Sequence, residues 1–227
     1  MIKSRSACVT SGPSAFLAGL EQSAMDAIVG AAEFRWVPAT QAITTGGSPA
    51  THLLLLQSGR ARYCHMTKRG ELVLLAQLVP GDVIGLMTLL KTPSAYIATA
   101  EAASDCELLV WDRAHVRHFL SHYPQLNENG LRIAFGYLRN YIERHVALVT
   151  ETAVERLAKT LLRLGQQSGE IHPDGVVIRA TNDELSALAD ISRFTASRAL
   201  SDWVRTGTIS KGRGRILLHA PEALMID

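Results

Sequence analysis

Hydroxyl and guanidinium side chains cluster at helical spacing near the C-terminal end of the chain. Ser192, Arg193, Thr195, Ser197 and Arg198 lie within two turns of a helix. Guanidinium groups donate hydrogen bonds to phosphates and to guanine edges, and small hydroxyl residues let a helix approach a groove closely. We therefore expect this cluster to bind DNA.

A glycine-rich basic stretch follows the cluster. Lys211, Arg213 and Arg215 alternate with glycines between two short strand-like segments, 208–210 and 216–218. This pattern predicts two strands that are joined by a basic turn over 211–215. We expect the hairpin to be a wing whose cations contact the DNA backbone.

Start and stop signals place the Ser/Arg cluster on the second of two helices. Thr181 and Glu184 form a capping box that starts the first helix, and Ser192 can cap the second. Asp190 lies in the turn between them, where a residue that tolerates left-handed φ is needed. The inward face of the second helix carries four apolar residues: Ala196, Ala199, Leu200 and Trp203. These signals predict a helix-turn-helix, the alternative being a helical hairpin packed in a core.

Phe194 falls on the outward face of the second helix, on the same side as Ser197 and Arg198. An aromatic ring in that place is either an ordinary surface residue or, in a major groove, a contact for the methyl group of thymine. The sequence leaves both interpretations open.

The preceding part of the chain predicts a β-domain and a long helix. We expect a first helix over 15–31, and then short apolar runs separated by turn signals, such as 68–70 and 80–82, which favour a β-jelly-roll over 34–112. A helix over 124–150 follows. Six of its residues form an apolar stripe that includes one histidine: Leu131, Phe135, Leu138, Ile142, His145 and Val149. A second copy of the chain is the simplest partner for this stripe, and packing on its own β-domain is the alternative.

Composition narrows the class of protein. The 227 residues are 47% hydrophobic and 19% charged. Although the net charge is only +2, the segment 193–219 contains six basic residues and one acidic residue. A local basic excess is typical of a phosphate contact. No uncharged apolar run approaches the roughly 20 residues that span a bilayer, and no apolar block follows the N-terminal charges, so we expect a cytoplasmic protein.

The sequence shows no signature of an enzyme or of a cofactor site. It has no nucleophile–base pair, phosphate-binding loop or metal-spaced cluster, so we expect no catalytic residue, cofactor or metal. Cys8, Cys64 and Cys106 are odd in number and scattered, which argues against a disulfide framework. Buried, inert thiols are expected, with a redox-active pair of Cys64 and Cys106 left open.

Together these motifs resemble the CRP/FNR family of bacterial regulators along nearly the whole chain. Segment 80–85 resembles the cassette that holds a ligand phosphate, 154–158 resembles the segment after the dimer helix, and 192–198 resembles the recognition helix. The resemblance implies a homodimer with a jelly-roll sensor domain, a dimerising helix and a DNA-binding domain that ligand binding repositions.

The chain departs from the cyclic-AMP-binding members at the residues that would hold the ligand. The resemblance places Leu86 where those members have a ribose-binding Glu, Tyr96 where they have a phosphate-binding Arg, and Tyr141 and Ile142 opposite the adenine. A buried cyclic phosphate without a cation is costly to desolvate. We therefore expect an effector other than cyclic AMP, or none, at a degenerate pocket: Gly85, Leu86, Met87, Tyr96, Ile97, Tyr141 and Ile142.

Other sensing chemistries of the family find little support. Iron–sulfur members need four cysteines. Haem-based gas sensing needs an axial ligand, and lone histidines are usually surface residues. The candidate ligands are Cys64, His65, His115, His118 and His122. A haem-based gas sensor and a cyclic-nucleotide-fold interaction module that does not bind DNA remain the alternatives. The family also usually has Glu where this chain has Phe194, which predicts a different operator.

The sequence thus predicts an α+β protein in three segments: a cyclic-nucleotide-binding-like jelly-roll over 14–123, a dimerisation helix over 124–150 and a winged helix-turn-helix over 151–227. The predicted function is sequence-specific transcription regulation by a homodimer on a palindromic operator, with half-sites about one helical turn apart. The expected partners are double-stranded DNA, a second copy of the chain and, for an activator, RNA polymerase.

Overall fold

The computed structural model describes residues 14–67 and 72–224. The chain divides into two compact units, Met1–Leu138 and Arg139–Asp227. Three parts of the sequence-based predictions lie outside the described ranges: Cys8, the turn at 68–70 and the end of the third segment at 225–227.

The first unit combines helices with two four-stranded antiparallel sheets. Its elements in chain order are α1 (Gln22–Gly30), β1 (Glu33–Val37), β2 (Ala42–Thr44), β3 (His52–Ser58), β4 (Ala61–Met66), β5 (Leu72–Leu78), β6 (Val83–Ile84), a 3-10 turn (Leu86–Leu89), β7 (Thr99–Ala102), β8 (Cys106–Asp112), α2 (Arg113–His122) and the first half of α3 (Gln125–Thr150). One sheet has the strand order β1-β8-β3-β6 and the other β2-β7-β4-β5.

The run of four leucines in β3 is explained by burial on both faces of the strand. Leu53 and Leu55 belong to an apolar cluster that also contains Trp111 and residues of α1 and α2. Leu54 and Leu56 point the opposite way, into a cluster with residues of the second sheet. Side chains alternate along a strand, so a strand buried on both faces is continuously apolar rather than alternating.

The predicted first helix over 15–31 is wrong in its first half. Residues 15–19 form turns, Gly19 has a φ of 77°, and α1 begins at Gln22. The Ser14 hydroxyl donates to the carbonyl of Gly81 at 3.0 Å, and Phe16 is buried in the core. Tertiary contacts of this segment therefore replace the regular helix that its apolar spacing suggests.

The long helix is present with nearly the predicted limits, Gln125–Thr150 against 124–150. Its N-terminal end is fixed by Asn129, which is buried and donates to the carbonyls of Phe16 (2.9 Å) and Ala18 (2.8 Å). Ile133 and Tyr137 pack against the two clusters of the β-domain. This side of α3 therefore faces its own β-domain.

The second unit is a small helical core with a four-stranded sheet. After the C-terminal half of α3, its elements are α4 (Ala153–Ser168), β9 (Glu170–His172), β10 (Gly175–Ile178), α5 (Asn182–Leu188), α6 (Arg193–Arg205), β11 (Ile209–Gly212), β12 (Arg215–Leu218) and a 3-10 turn (Pro221–Leu224). The sheet order is β11-β12-β10-β9. Its buried residues come from α4, α5 and α6 and from the strands β10, β11 and β12, among them Leu157, Leu161, Leu185, Leu200 and Ile216.

The predicted fold class is confirmed: an antiparallel β-domain, a long helix and a helix-turn-helix with a β-hairpin follow one another along the chain. The two compact units divide inside α3, and the proposed three-segment division stays a prediction. Within residues 14–67 and 72–224, no helix has the length and apolar character that crossing a bilayer requires.

Candidate nucleic-acid interface

The two faces of α6 differ sharply in exposure. Ala196 and Leu200 are completely buried against the rest of the second unit. On the opposite face Ser197 and Arg198 are exposed, and the ring of Phe194 is 78% exposed. The apolar face fixes the helix, so its polar face is presented to solvent on a rigid support.

Local capping signals set the positions of α5 and α6, as the sequence predicts. Thr181 and Glu184 form a reciprocal capping box, with the Thr181 hydroxyl accepting from the Glu184 amide and the Glu184 carboxylate accepting from the Thr181 amide. The Ser192 hydroxyl accepts from the Thr195 amide at 3.0 Å and caps α6. Such caps satisfy amides that have no partner inside the helix.

Asp190 adopts the left-handed conformation in the turn between α5 and α6, with a φ of 52°. The Arg156 guanidinium donates to the carbonyls of Ala189 (3.1 Å) and Asp190 (3.3 Å), and it also bonds the carbonyl of Glu151 at 2.8 Å. Arg144 of α3 forms an ion pair of 2.8 Å with the Asp190 carboxylate. Two arginines that lie earlier in the chain thus hold the turn, a role that sequence reasoning missed.

The arginines of α6 have different surroundings. Arg193 forms an ion pair of 3.0 Å with Asp183 at the start of α5, and both side chains are well exposed. An exposed pair of this kind contributes about 0–1 kcal/mol, so DNA can displace it. In the described part of the chain no carboxylate forms an ion pair with Arg198, and its guanidinium is open to a ligand.

The wing is a tighter hairpin than the sequence predicts. Gly212 pairs with Arg215, so the connection is two residues, Arg213 and Gly214, and Gly214 has a φ of 67°. Lys211 and Arg215 therefore lie on β11 and β12, and the predicted basic turn over 211–215 is wrong in its length. All three cations of the wing are exposed.

One side of α3 carries exposed apolar residues. Each of the six residues of the predicted stripe is exposed. The exposed fraction of the residue is 63% for Phe135 and 79% for Val149. The six positions follow one another at alternating steps of four and three residues, which is the repeat of a coiled-coil seam. Val146 and Leu148 are also exposed and widen the stripe beyond the residues that the sequence indicated.

At the predicted effector pocket, the structure brings Tyr96 against Gly85. The Tyr96 hydroxyl donates to the carbonyl of His52 (3.0 Å) and accepts from the amide of His52 (3.1 Å). A methyl group on Gly85 would lie 3.1 Å from a ring carbon of Tyr96, so the ring fills the space beside this glycine, whose φ is 90°. Tyr96 is itself buried, and its two hydrogen bonds to the backbone of His52 satisfy its hydroxyl.

The other predicted pocket residues differ in their exposure. Leu86 and Met87 lie half-buried in the 3-10 turn, and Ile97 is 77% exposed. Tyr141 and Ile142 are exposed on α3.

The described cysteines are buried free thiols. Burial raises the pKa of the Cys64 thiol and of the Cys106 thiol, and Cys106 also donates to the carbonyls of Arg60 and Ser104 at 3.2 Å. Thiols of this kind react slowly because little thiolate is present. Across residues 14–67 and 72–224, no group of three or more His, Cys, Asp or Glu side chains is arranged to hold a metal ion.

The fold and this surface define a class of protein, a winged helix-turn-helix protein with an attached β-sandwich domain. Residues 34–123 match the family model of the cyclic nucleotide-binding domain, and residues 155–225 match that of the Crp-like helix-turn-helix domain. The chain belongs to the CRP/FNR family and is a transcription regulator of that type.

Known relatives agree with this assignment. The chain is 26% identical to a CRP-like cAMP-activated global transcriptional regulator of Mycobacterium tuberculosis over 91% of its own length and 92% of that protein. It is 30% identical to the transcriptional regulator SdrP of Thermus thermophilus, over 70% and 75% of the two chains. The structure of FixK2 from Bradyrhizobium japonicum has the same fold, with a TM-score of 0.74, 22% identity and coverage of 85% and 95%.

Proposed function

We propose that this regulator is a homodimer that binds a palindromic operator through α6 and the wing. The observation that carries the proposal is the outward face of α6, where Ser197 and Arg198 are exposed on a helix fixed by a buried apolar face. A helix of this kind enters the major groove with its N-terminal residues toward the base edges.

Each predicted DNA-binding residue receives a role in this proposal. Ser197 and Arg198 contact base edges, since Arg donates in pairs to guanine O6 and N7. Arg193 and the hydroxyls of Ser192 and Thr195 lie at the positive end of α6, where they orient the helix on a phosphate. The wing cations contact the backbone of the same duplex: Lys211, Arg213 and Arg215.

The stripe on α3 supports the proposed homodimer. Ile133 and Tyr137 contact the β-domain, whereas Leu131, Phe135 and Leu138 are exposed on another side of the helix. An exposed apolar stripe with coiled-coil spacing is typical of a helix that pairs with a copy of itself. Two copies related by a twofold axis present two α6 helices, and the operator should repeat that symmetry.

We further propose that cyclic AMP is not the effector, and that the protein has another effector or none. The family resemblance places Tyr96 where cyclic-AMP-binding members have an arginine, and the ring of Tyr96 fills the space beside Gly85. Because the proposed target is chromosomal DNA, we expect a cytoplasmic location and, if the protein is an activator, contact with RNA polymerase.

Selection from a pool of random duplexes tests the proposal. The intact chain should enrich an inverted repeat whose half-site centres are about 10–10.5 base pairs apart, which is one turn of B-DNA. A pool that stays random after several rounds, although the protein is folded, contradicts the proposal. Enrichment of a single, unrepeated half-site contradicts the homodimer.

A further inference from the structure

Phe194 is an aromatic side chain that the fold leaves in solvent at the start of α6. It is 78% exposed, whereas Ala196 and Leu200 on the other face are completely buried. Phe194 lies three and four residues before Ser197 and Arg198, so the three side chains share one face of the helix. The apolar ring is therefore part of the surface that is proposed to face the base edges.

The polar neighbours of Phe194 are engaged within the protein. The hydroxyls of Ser192 and Thr195 share a hydrogen bond of 2.8 Å, and the Thr195 amide donates to the same Ser192 oxygen. Arg193 turns toward α5 and pairs with Asp183. The first turn of α6 thus presents the ring of Phe194 between a cap and an ion pair.

The chemistry of the major groove gives an apolar ring one kind of target. Base edges there carry hydrogen-bond donors and acceptors, which a phenyl ring cannot match, and thymine adds a 5-methyl group. We propose that Phe194 is a specificity-determining residue that selects a thymine in each half-site by contact with this methyl group. The inference rests on the proposed DNA-binding function and deepens it.

The ring recognises the methyl group and not the base as a whole. A 5-methylcytosine presents the same group at the same place in the groove, so it should be accepted where cytosine is disfavoured. A carboxylate at this position would instead accept a hydrogen bond from the cytosine amine. Phe194→Glu should therefore move the preferred base from thymine to cytosine.

Deoxyuridine substitution measures the methyl contact directly. Each thymine of the selected operator is replaced in turn by deoxyuridine, which removes one methyl group and leaves every hydrogen bond. At one thymine in each half-site, binding of the intact chain should weaken about fourfold. This factor corresponds to the transfer free energy of one buried methyl or methylene group. Phe194→Ala should bind the thymine and deoxyuridine operators equally.

Two controls separate this effect from a general loss of structure. Phe194 makes no contribution to the core, so the thermal midpoint of Phe194→Ala should equal that of the unaltered chain. Phe34 is a second exposed phenylalanine, 59% exposed in β1, and Phe34→Ala should keep the fourfold difference.

The outcomes distinguish the two levels of the proposal. Equal binding of every deoxyuridine operator by the unaltered chain overturns the role of Phe194 alone, as does a fourfold difference that persists in Phe194→Ala. A selection that enriches no operator overturns the proposed function and this inference with it.

Discussion

At the scale of single residues, Asp190 and Tyr96 show how one side chain sets a local geometry. Asp190 adopts a left-handed φ that few residues other than Gly, Asn and Asp accept, and its carboxylate pairs with Arg144. Arg156 satisfies the carbonyls that the end of α5 and the turn leave open. The angle between α5 and α6 is thus held by contacts on both sides of the turn.

The residue Tyr96 leads to a prediction about cyclic AMP. A buried cyclic phosphate needs a cation or several donors, and the Tyr96 hydroxyl is already bonded to both backbone groups of His52. Titration calorimetry of the intact chain with cyclic AMP should show no heat beyond dilution. Binding in the micromolar range would contradict the assignment of Tyr96 as the residue that fills the site.

At the scale of elements, α6 and the wing have different proposed roles in DNA binding. The wing cations, Lys211, Arg213 and Arg215, lie on a hairpin, and we propose that they contact phosphates rather than base edges. Replacing all three by Gln should reduce the slope of log affinity against log salt by about 0.9 for each phosphate that is no longer neutralised. The selected operator sequence should stay the same.

A matched control for the wing is Arg132→Gln on α3, an exposed arginine that pairs with Glu128. This variant removes a positive charge from a residue that belongs to neither α6 nor the wing, and it should leave the salt slope unchanged. A wing variant with an unaltered slope, or with a changed operator sequence, would show that the wing does not act through the phosphates.

The elements also show what the sequence can and cannot predict. The caps at Thr181 and Ser192, the faces of α6 and the limits of α3 follow from patterns within a few residues, and the structure confirms them. Arg144 and Arg156 contact a turn more than thirty residues away, and no local pattern encodes such contacts. The wrongly predicted helix over 15–21 has the same origin, because contacts with distant residues determine the conformation of this segment.

At the scale of the whole molecule, the stripe on α3 accounts for the proposed assembly. Ile142 lies within the stripe and is about half exposed. A charge there would be buried without a partner in a paired helix, so Ile142→Glu should give a monomer in sedimentation velocity. Operator affinity should fall with it, because one duplex would no longer hold two linked α6 helices.

Asn140→Glu is the matched control for the assembly, since it introduces the same charge about 180° around α3 from the centre of the stripe. This variant should remain a dimer. If Ile142→Glu sediments as the unaltered chain does, the stripe is not the dimer contact.

The central claim is that the outward face of α6 reads a DNA sequence, and the most direct test is a specificity ratio. The affinity of the intact chain for its selected operator is compared with that for a shuffled duplex of equal length and composition at one salt concentration. The ratio should be about 10³ or more. Arg198→Ala should reduce the corresponding difference in binding free energy by about 1–3 kcal/mol for each guanine that Arg198 binds. Equal affinity for the two duplexes, or a ratio that Arg198→Ala leaves intact, would contradict the claim.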